Sequence, residues 1–428
     1  MIEAKTKVQR YESYKDSGVE WLGDIPEHWE LRRFKHFFKE KKITHNIELN
    51  CGSISFGKVV YKDDEKIPVS TKKSYQVLNK GEFLINPLNL NYDLKSLRIG
   101  LSDKDVVVSS GYIIIQNTSE ISKNYYKWLL HIFDVAFMKT LGSGVRQTLS
   151  FTHIANSELV FPPLQEQTAI AQFLDDKTIK INEAISIKEQ QIQLLKERKQ
   201  ILIHKAVTQG LNPNVQLKDS GVEWIGDIPE YWEVKKVTHL FDRIGSGTTP
   251  TSGDNRYYDG IFNFLQTGDL NDGKITITKR TLKERAFRDF SSLKIYPKGS
   301  LVMAMYGATI GKLGILDIEA ATNQACCIFR KSKKIEIDYF FQVLLAFRTQ
   351  IISFGYGGGQ PNISQDLIKS LRFPIAPHQE QKEISKYIET ASQKIDKAIN
   401  LKQQEIEKLK EYKSSLINSV VTGKVKVC

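Results

Sequence analysis

The side chains in this sequence that can do chemistry are suited to gripping and reading a polyanion. In TKRTLKERAFRDF (278–290), Lys279, Arg280, Lys283, Arg285 and Arg288 fall within one short stretch. Cations at that density can neutralise phosphates, and each phosphate neutralised releases condensed counterions. The same stretch also reads as a solvated helix face, partly balanced by Glu284 and Asp289. GSGTTP (245–250), followed by Arg256, Tyr257 and Tyr258, places the hydroxyls of Thr248 and Thr249 beside backbone N–H groups, an arginine and aromatic rings. Such groups reach phosphates and base edges, although a plain turn needs no such role. Two glycine loops carrying glutamine follow the same logic: LGSGVRQTLS (141–150) and GYGGGQPN (355–362). Gln147, Gln360 and Asn362 carry the donor and acceptor pair that matches adenine, and Arg146 carries the fork that matches guanine. Each is equally at home in a connecting loop. Lys312, at the end of the MYGATIGK segment, completes the set of candidate contacts.

Signatures of bond-breaking chemistry fail on inspection. GATIGKL (307–313) has three residues between its glycines and Leu313 after the lysine. A phosphate-binding loop needs four, then a hydroxyl to hold magnesium. NPLNLN (86–91) resembles the Asn-Pro-Pro-aromatic loop of amino-methyltransferases, but Leu88 and Asn89 break the match. No GxGxxG follows a strand, and the eight histidines form no HExxH or other metal-ligand spacing. The expectation is a chain with no catalytic residues, no metal site and no cofactor of its own.

Composition agrees with a polyanion partner. Lys plus Arg number 61 against 49 Asp plus Glu, a formal net charge of +12, which favours nucleic acid without excluding a merely basic soluble protein. At 428 residues and 41% hydrophobic, the chain can bury two or more cores. There is no apolar run of membrane-spanning length and no export signal at the N-terminus, so a cytoplasmic, non-membrane protein is expected. Cys51, Cys326, Cys327 and Cys428 form neither a CxxC pair nor a disulfide framework and read as packing residues.

The elements that must hold these candidates occur twice. KDSGVEWLGDIPEHWE (15–30) returns as KDSGVEWIGDIPEYWE (218–233), with 14 of 16 positions identical. FPPLQEQ (161–167) returns as FPIAPHQEQ (373–381), and IQLLKERK (192–199) as IEKLKEYK (406–413). Between these matched ends, 31–160 and 234–372 share little beyond Gly, Pro and aromatic punctuation. The units are domain-sized, too long for solenoid repeats. Residues 165–208 contain neither proline nor glycine and predict one helix roughly 66 Å long. Ile181, Ile185, Lys188, Ile192, Leu195, Lys199, Leu202 and Ala206 step alternately by four and three, the spacing of a coiled-coil seam. Ile395, Ile399, Lys402, Ile406, Leu409, Lys413, Leu416 and Val420 repeat it, with Gly210 and Gly423 as terminators. Each seam is the best-matched partner for the other. The lysines within them either specify register or let their stems pack while the ammonium groups reach water.

The inserts contain short β-rich runs, DVVVSSGYIIIQ (105–116), KITIT (274–278) and GSLVMAMYG (299–307), with shorter helices at Tyr125–Phe137 and Tyr339–Phe347. The predicted fold is α+β: two globular domains joined by two long helices in an antiparallel coiled coil, a pseudo-twofold tandem duplication. The expected boundaries are 1–160 for the first domain, 161–211 for the first helix, 212–372 for the second domain and 373–428 for the second helix.

The matched motifs, with GSGTTP, FLQTGDL (264–270), LVMAMYGATIGKLGILDIEAATNQAC (301–326) and GGGQPNIS (357–364), resemble the specificity subunits of type I DNA restriction-modification systems over nearly the whole chain. The resemblance implies two target recognition domains, each reading one half of a split site in double-stranded DNA, with the coiled coil as a ruler between them. It implies two modification subunits that bind S-adenosylmethionine and restriction subunits that use ATP and Mg, so the missing chemistry belongs to partners. The first insert departs from the pattern, having no close match to GSGTTP or MYGATIGK. A helical adaptor with two protein-binding inserts is the rival reading, and it would need neither the positive charge nor base-reading side chains. A methyltransferase in its own right would need donor and amine loops that this sequence lacks.

Overall fold

The computed structural model describes residues 9–88, 97–138, 149–356 and 362–427. The chain divides into two compact units: Met1–Lys188 with Gln404–Cys428, and Glu189–Gln403.

Each unit closes on the same device. In the first, strand Tyr14–Asp16 pairs antiparallel with Asp24–Pro26, and Glu30–Arg33 pairs antiparallel with Glu158–Phe161, tying the two ends of the insert together. In the second, Leu217–Asp219 pairs with Asp227–Pro229 and Glu233–Lys236 with Arg372–Ile375, both antiparallel. Trp29 donates its indole N–H to Glu166 at 3.0 Å, and Trp232 donates to Glu380 at 3.0 Å. Both indoles are fully buried, so each needs a partner for its N–H, and the glutamate of the repeated Gln-Glu-Gln supplies it. The following glutamines are buried and hold the turn: Gln167 accepts from Ser122 N and donates to Pro162 O, while Gln381 accepts from Glu336 N and donates to Ala376 O.

The long helices run Leu164–Gln209 and His378–Val421, without an internal glycine or proline to break the ladder. Gly210 and Gly423 follow them at φ +73° and +77°, the left-handed conformation in which glycine ends a helix without steric cost. Within the first unit Lys413 reaches Asn182 at 2.9 Å and Lys188 reaches Glu405. Residue numbers rise on one helix as they fall on the other, so the pair is antiparallel. The second unit repeats this, with Lys402 on Gln191 at 2.6 Å and Lys199 on Asp396 at 2.7 Å. Ile181, Ile192 and Ile406 are buried, and Ile185, Leu195, Leu202, Ile395, Ile399, Leu409 and Leu416 are half-buried. The four seam lysines are half-buried too, each ending on an oxygen of the opposite helix, so their stems pack along the seam while the charges find polar partners.

The inserts are built differently. The first has a four-stranded antiparallel sheet, Phe38–Glu40, Ile113–Asn117, Phe83–Ile85 and Ile99–Leu101 in spatial order, with Val106–Val108 paired instead to Gln76–Leu78. Val106–Val108 and Ile113–Ile115 are buried on both faces, as unbroken β-branched runs require. Helix Lys123–Phe133 lies in a core with Phe34, Phe37, Phe38 and Phe83, joined by Ile170 and Leu174 of the first long helix and Ile417, Val420 and Val421 of the second. The second insert has a five-stranded sheet, Ile244–Gly245, Cys326–Phe329, Leu301–Ala304, Leu313–Leu316 and Gly273–Ile275 in spatial order. Beside it is a three-stranded sheet of Arg280–Leu282, Tyr258–Leu265 and Ala320–Thr322. Helix Ile337–Ala346 packs Tyr339 and Phe340 with Trp232, Phe329 and Phe373, together with Ile203, Val207, Ile384 and Ile388 of the long helices.

Candidate nucleic-acid interface

Five loops of the second unit come together at one edge of its sheets, and backbone hydrogen bonds weave them into one surface. Strands Tyr258–Leu265 and Ala320–Thr322 run parallel and end side by side, with Asn323 N bonded to Leu265 O at 3.2 Å. Strand Leu301–Ala304 ends beside the start of Cys326–Phe329, and Met305 N bonds Ala325 O at 2.8 Å. Gly247 N donates to Asn323 O at 3.3 Å, which brings in the GSGTTP loop, and Ile363 N donates to Met305 O at 2.8 Å, which brings in the segment after the glycine run. Gln266–Asp269 completes the group, its turn fixed by Asp269 accepting from Gln266 N at 2.9 Å. Thr248, Thr249, Lys312 and Asn362 all lie on these loops.

One approach is tight enough to demand glycine. A Cβ on Gly247 would lie 1.5 Å from the carbonyl oxygen of Thr322, so any side chain there would push GSGTTP off the sheet edge. Two buried polar atoms lie at this junction, the Thr322 hydroxyl and the Asn323 side-chain carbonyl, neither with a hydrogen-bond partner among the described residues.

The remaining candidates form a second, adjacent group, linked to the first where Tyr258 donates its hydroxyl to Pro250 O at 2.7 Å. Several of its charges are already engaged. Arg256 makes a fork to Asp254, with contacts of 2.6–3.0 Å, and this pairing holds the Asp254 carboxyl down at about 2. Arg285 pairs with Asp289 and Arg288 with Glu284, one helical turn apart, on the short helix Glu284–Asp289. Lys283 donates to Asn255 O at 2.9 Å. Tyr257 is buried, its hydroxyl on Asp289 at 3.1 Å. Arg280 stacks over Tyr258 at 5.4 Å, and Lys279 and Lys312 are exposed with no carboxylate partner among the described residues. Two of the five cations in the run, Arg285 and Arg288, are therefore balanced locally. Arg146, Gln147 and Gln360 lie outside the described residues, as do Asn89–Asn91 of NPLNLN and Cys428.

The loop Gly307–Lys312 joins two antiparallel strands, Leu301–Ala304 and Leu313–Leu316. A phosphate-binding loop would instead lead from a strand into a helix. Cys51, Cys326 and Cys327 are buried and free, and burial pushes the Cys327 thiol up to about 12, so they pack as uncharged groups. Among the described residues no cluster could hold a metal ion, and no helix is long and apolar enough to cross a membrane.

Sequence reading missed two features of this edge. Asp272, itself at φ +60°, accepts from Leu313 N at 2.9 Å and takes a fork from Arg348, latching the loop region to helix Arg348–Ser353. Gln324 is exposed and accepts from Thr249 at 2.6 Å. Both partnerships join residues more than forty positions apart, and no local spacing announces them.

The family description "Type I restriction modification DNA specificity domain" matches residues 26–196 and 229–411, once over each repeat. The chain belongs to the type I restriction-modification DNA specificity family. Among its relatives, the type I restriction enzyme MjaVIII specificity subunit of Methanocaldococcus jannaschii is 25% identical over 417 residues, covering 94% of both chains. A chain from a structural study of complex assembly and conformational transition in a type I restriction-modification system superimposes with a TM-score of 0.71 at 14% identity, over 93% of this chain and 98% of that one. The HsdS subunit of Thermoanaerobacter tengcongensis gives a TM-score of 0.54 at 13% identity, over 94% and 98%. These likenesses carry the fold: two α+β domains with antiparallel spacer helices.

Proposed function

We propose that this chain is the DNA-reading subunit of a type I restriction-modification complex, that each unit reads one half of a split, asymmetric duplex site, and that the spacer helices set the gap. The carrying observation is that two near-identical Trp–Glu clamps hold two inserts with unlike sheets. Identical inserts would read a palindrome; unlike ones read two different half-sites. The chain itself performs no bond chemistry. Two modification subunits supply methyl transfer from S-adenosylmethionine, and restriction subunits supply ATP- and Mg-dependent translocation and cleavage. A target adenine inside a duplex has to be flipped out to be methylated, so the specificity chain fixes position while the partner carries the active site. Acting on chromosomal DNA with these partners, it works in the cytoplasm. Net charge of +12 supports a sequence-independent grip on phosphate in addition to the readout.

Mapping methylated adenines in cells that express the chain with its modification subunits tests this. The expected motif is asymmetric and interrupted by unspecified base pairs, and exchanging residues 31–160 for another family member's insert should change one half alone. A change in both halves, or methyl transfer by the purified chain without a partner, would overturn the proposal.

A further inference from the structure

Gln324 sits where three independent constraints meet. The connection Asn323–Ala325, between strands Ala320–Thr322 and Cys326–Phe329, is only three residues long. Its backbone is bonded on both sides: Asn323 N to Leu265 O, Gly247 N to Asn323 O, and Met305 N to Ala325 O. The Gln324 side chain is nevertheless exposed, and its carbonyl oxygen is held by the Thr249 hydroxyl at 2.6 Å. A long polar side chain on a surface normally samples many rotamers, and ordering it on binding costs entropy. Here that ordering is already made.

We propose that Gln324 is a base-reading residue of the second unit, that Thr249 is its positioning residue, and that the pair selects adenine in the major groove. This rests on the proposed function. The Thr249 hydroxyl donates to one side of the amide carbonyl, which fixes which face of the amide is carbonyl and which is NH2. The NH2 group then donates to adenine N7 while the second lone pair of the carbonyl accepts from adenine N6. Guanine presents two acceptors along the same edge and would set its O6 against the Gln324 carbonyl. The tight seat of Gly247 on Thr322 keeps Thr249 in register, because the GSGTTP loop cannot slide along the edge without collision.

The test uses the specificity chain assembled with its modification subunits, on duplexes in which the mapped site is varied one base pair at a time. Gln324→Ala is expected to relax selection about ten- to hundredfold at a single A·T pair in one half-site, leaving the other half intact. Gln324→Glu keeps the shape but loses the NH2 donor, and should relax the same pair. Thr249→Val should weaken selection at that pair less, and Thr249→Ser should restore it. If the wild-type assembly selects a split site and Gln324→Ala and Gln324→Glu keep every preference, the inference fails while the proposed function stands. Uniform loss of affinity for all duplexes would also overturn it, by making Gln324 a phosphate contact or a structural part. A wild-type assembly with no sequence preference would instead sink the proposed function.

Discussion

Trp29 and Trp232 each donate to a glutamate at 3.0 Å, Glu166 and Glu380, yet the sheets that follow these clamps in the two units do not correspond strand for strand. The two positions at which the sixteen-residue motifs differ show why the clamp survives. Leu22 and Ile225 are both buried apolar residues. His28 meets Glu166 at 2.6 Å, and in its place Tyr231 donates to Glu380 at 3.1 Å. Polar partner replaces polar partner, and the glutamate stays satisfied. The clamp restrains sequence because a buried indole N–H and a carboxylate need each other, whereas an insert only has to fill its own core and return its ends to one two-stranded ribbon. Polar groups in the inserts follow local rules. In the first, Glu82 gathers Lys41, Asn79 and Gln116; in the second, Asp272 gathers Leu313 and Arg348.

The equivalence of the two clamps can be broken most sharply at the indoles. Trp29→Ala and Trp232→Ala should each cost about 3–5 kcal/mol in chemical denaturation, as a large buried side chain leaves a cavity. A near-zero cost for one of them would show that the motif is structural in only one unit. A smaller and unequal effect is expected at the helix ends. Both Gly423→Ala and Gly210→Ala force a residue into the left-handed region, at about 1–2 kcal/mol. At Gly423 the new Cβ would also lie 2.4 Å from the Pro26 ring, whereas at Gly210 the nearest atom, a Glu380 carboxylate oxygen, is 2.8 Å away. Gly423→Ala should therefore lower the melting temperature more than Gly210→Ala.

The smallest effect is a pH dependence in the first unit. Burial pushes the Glu166 carboxyl up, but hydrogen bonds from His28, Trp29 and Tyr11 outweigh it and hold the group below its ordinary 4.5. A folded-state value below the unfolded one gives stability that is present above pH 4.5 and lost as pH falls through the lower, folded value. Glu166→Gln should flatten that part of the melting temperature's pH profile, and an unchanged slope would remove Glu166 from the account.

What the sequence made legible was whatever it repeats or spaces regularly. The duplication marked the frame; the four-three steps marked the seam from Ile181 to Leu202; Gly210 and Gly423 marked the helix ends by a conformational need that few other residues meet. The charge run from Lys279 to Arg288 was visible, but its fate was not, because whether Arg285 and Arg288 face a ligand or their own helix depends on rotamers one turn apart. Arg256 was visible for its charge, and its fork to Asp254, two residues earlier, was overlooked. Gln324 was hidden for a different reason: its meaning comes from Thr249, which only the fold brings near.

The antiparallel helices also impose an order on how the molecule is made. The second unit is one uninterrupted stretch, Glu189–Gln403, whereas the first needs Gln404–Cys428 as well. Ile417, Val420 and Val421 fill the core around Tyr125, whose hydroxyl donates to Val421 O at 2.9 Å. The part of the chain synthesised first is therefore finished last. At about 5–20 residues per second on the ribosome, the first insert waits roughly ten to fifty seconds with one wall of its core missing while the second unit is synthesised. Until the end of the second helix arrives, the core around Tyr125 lacks the apolar residues that cover it in the folded chain.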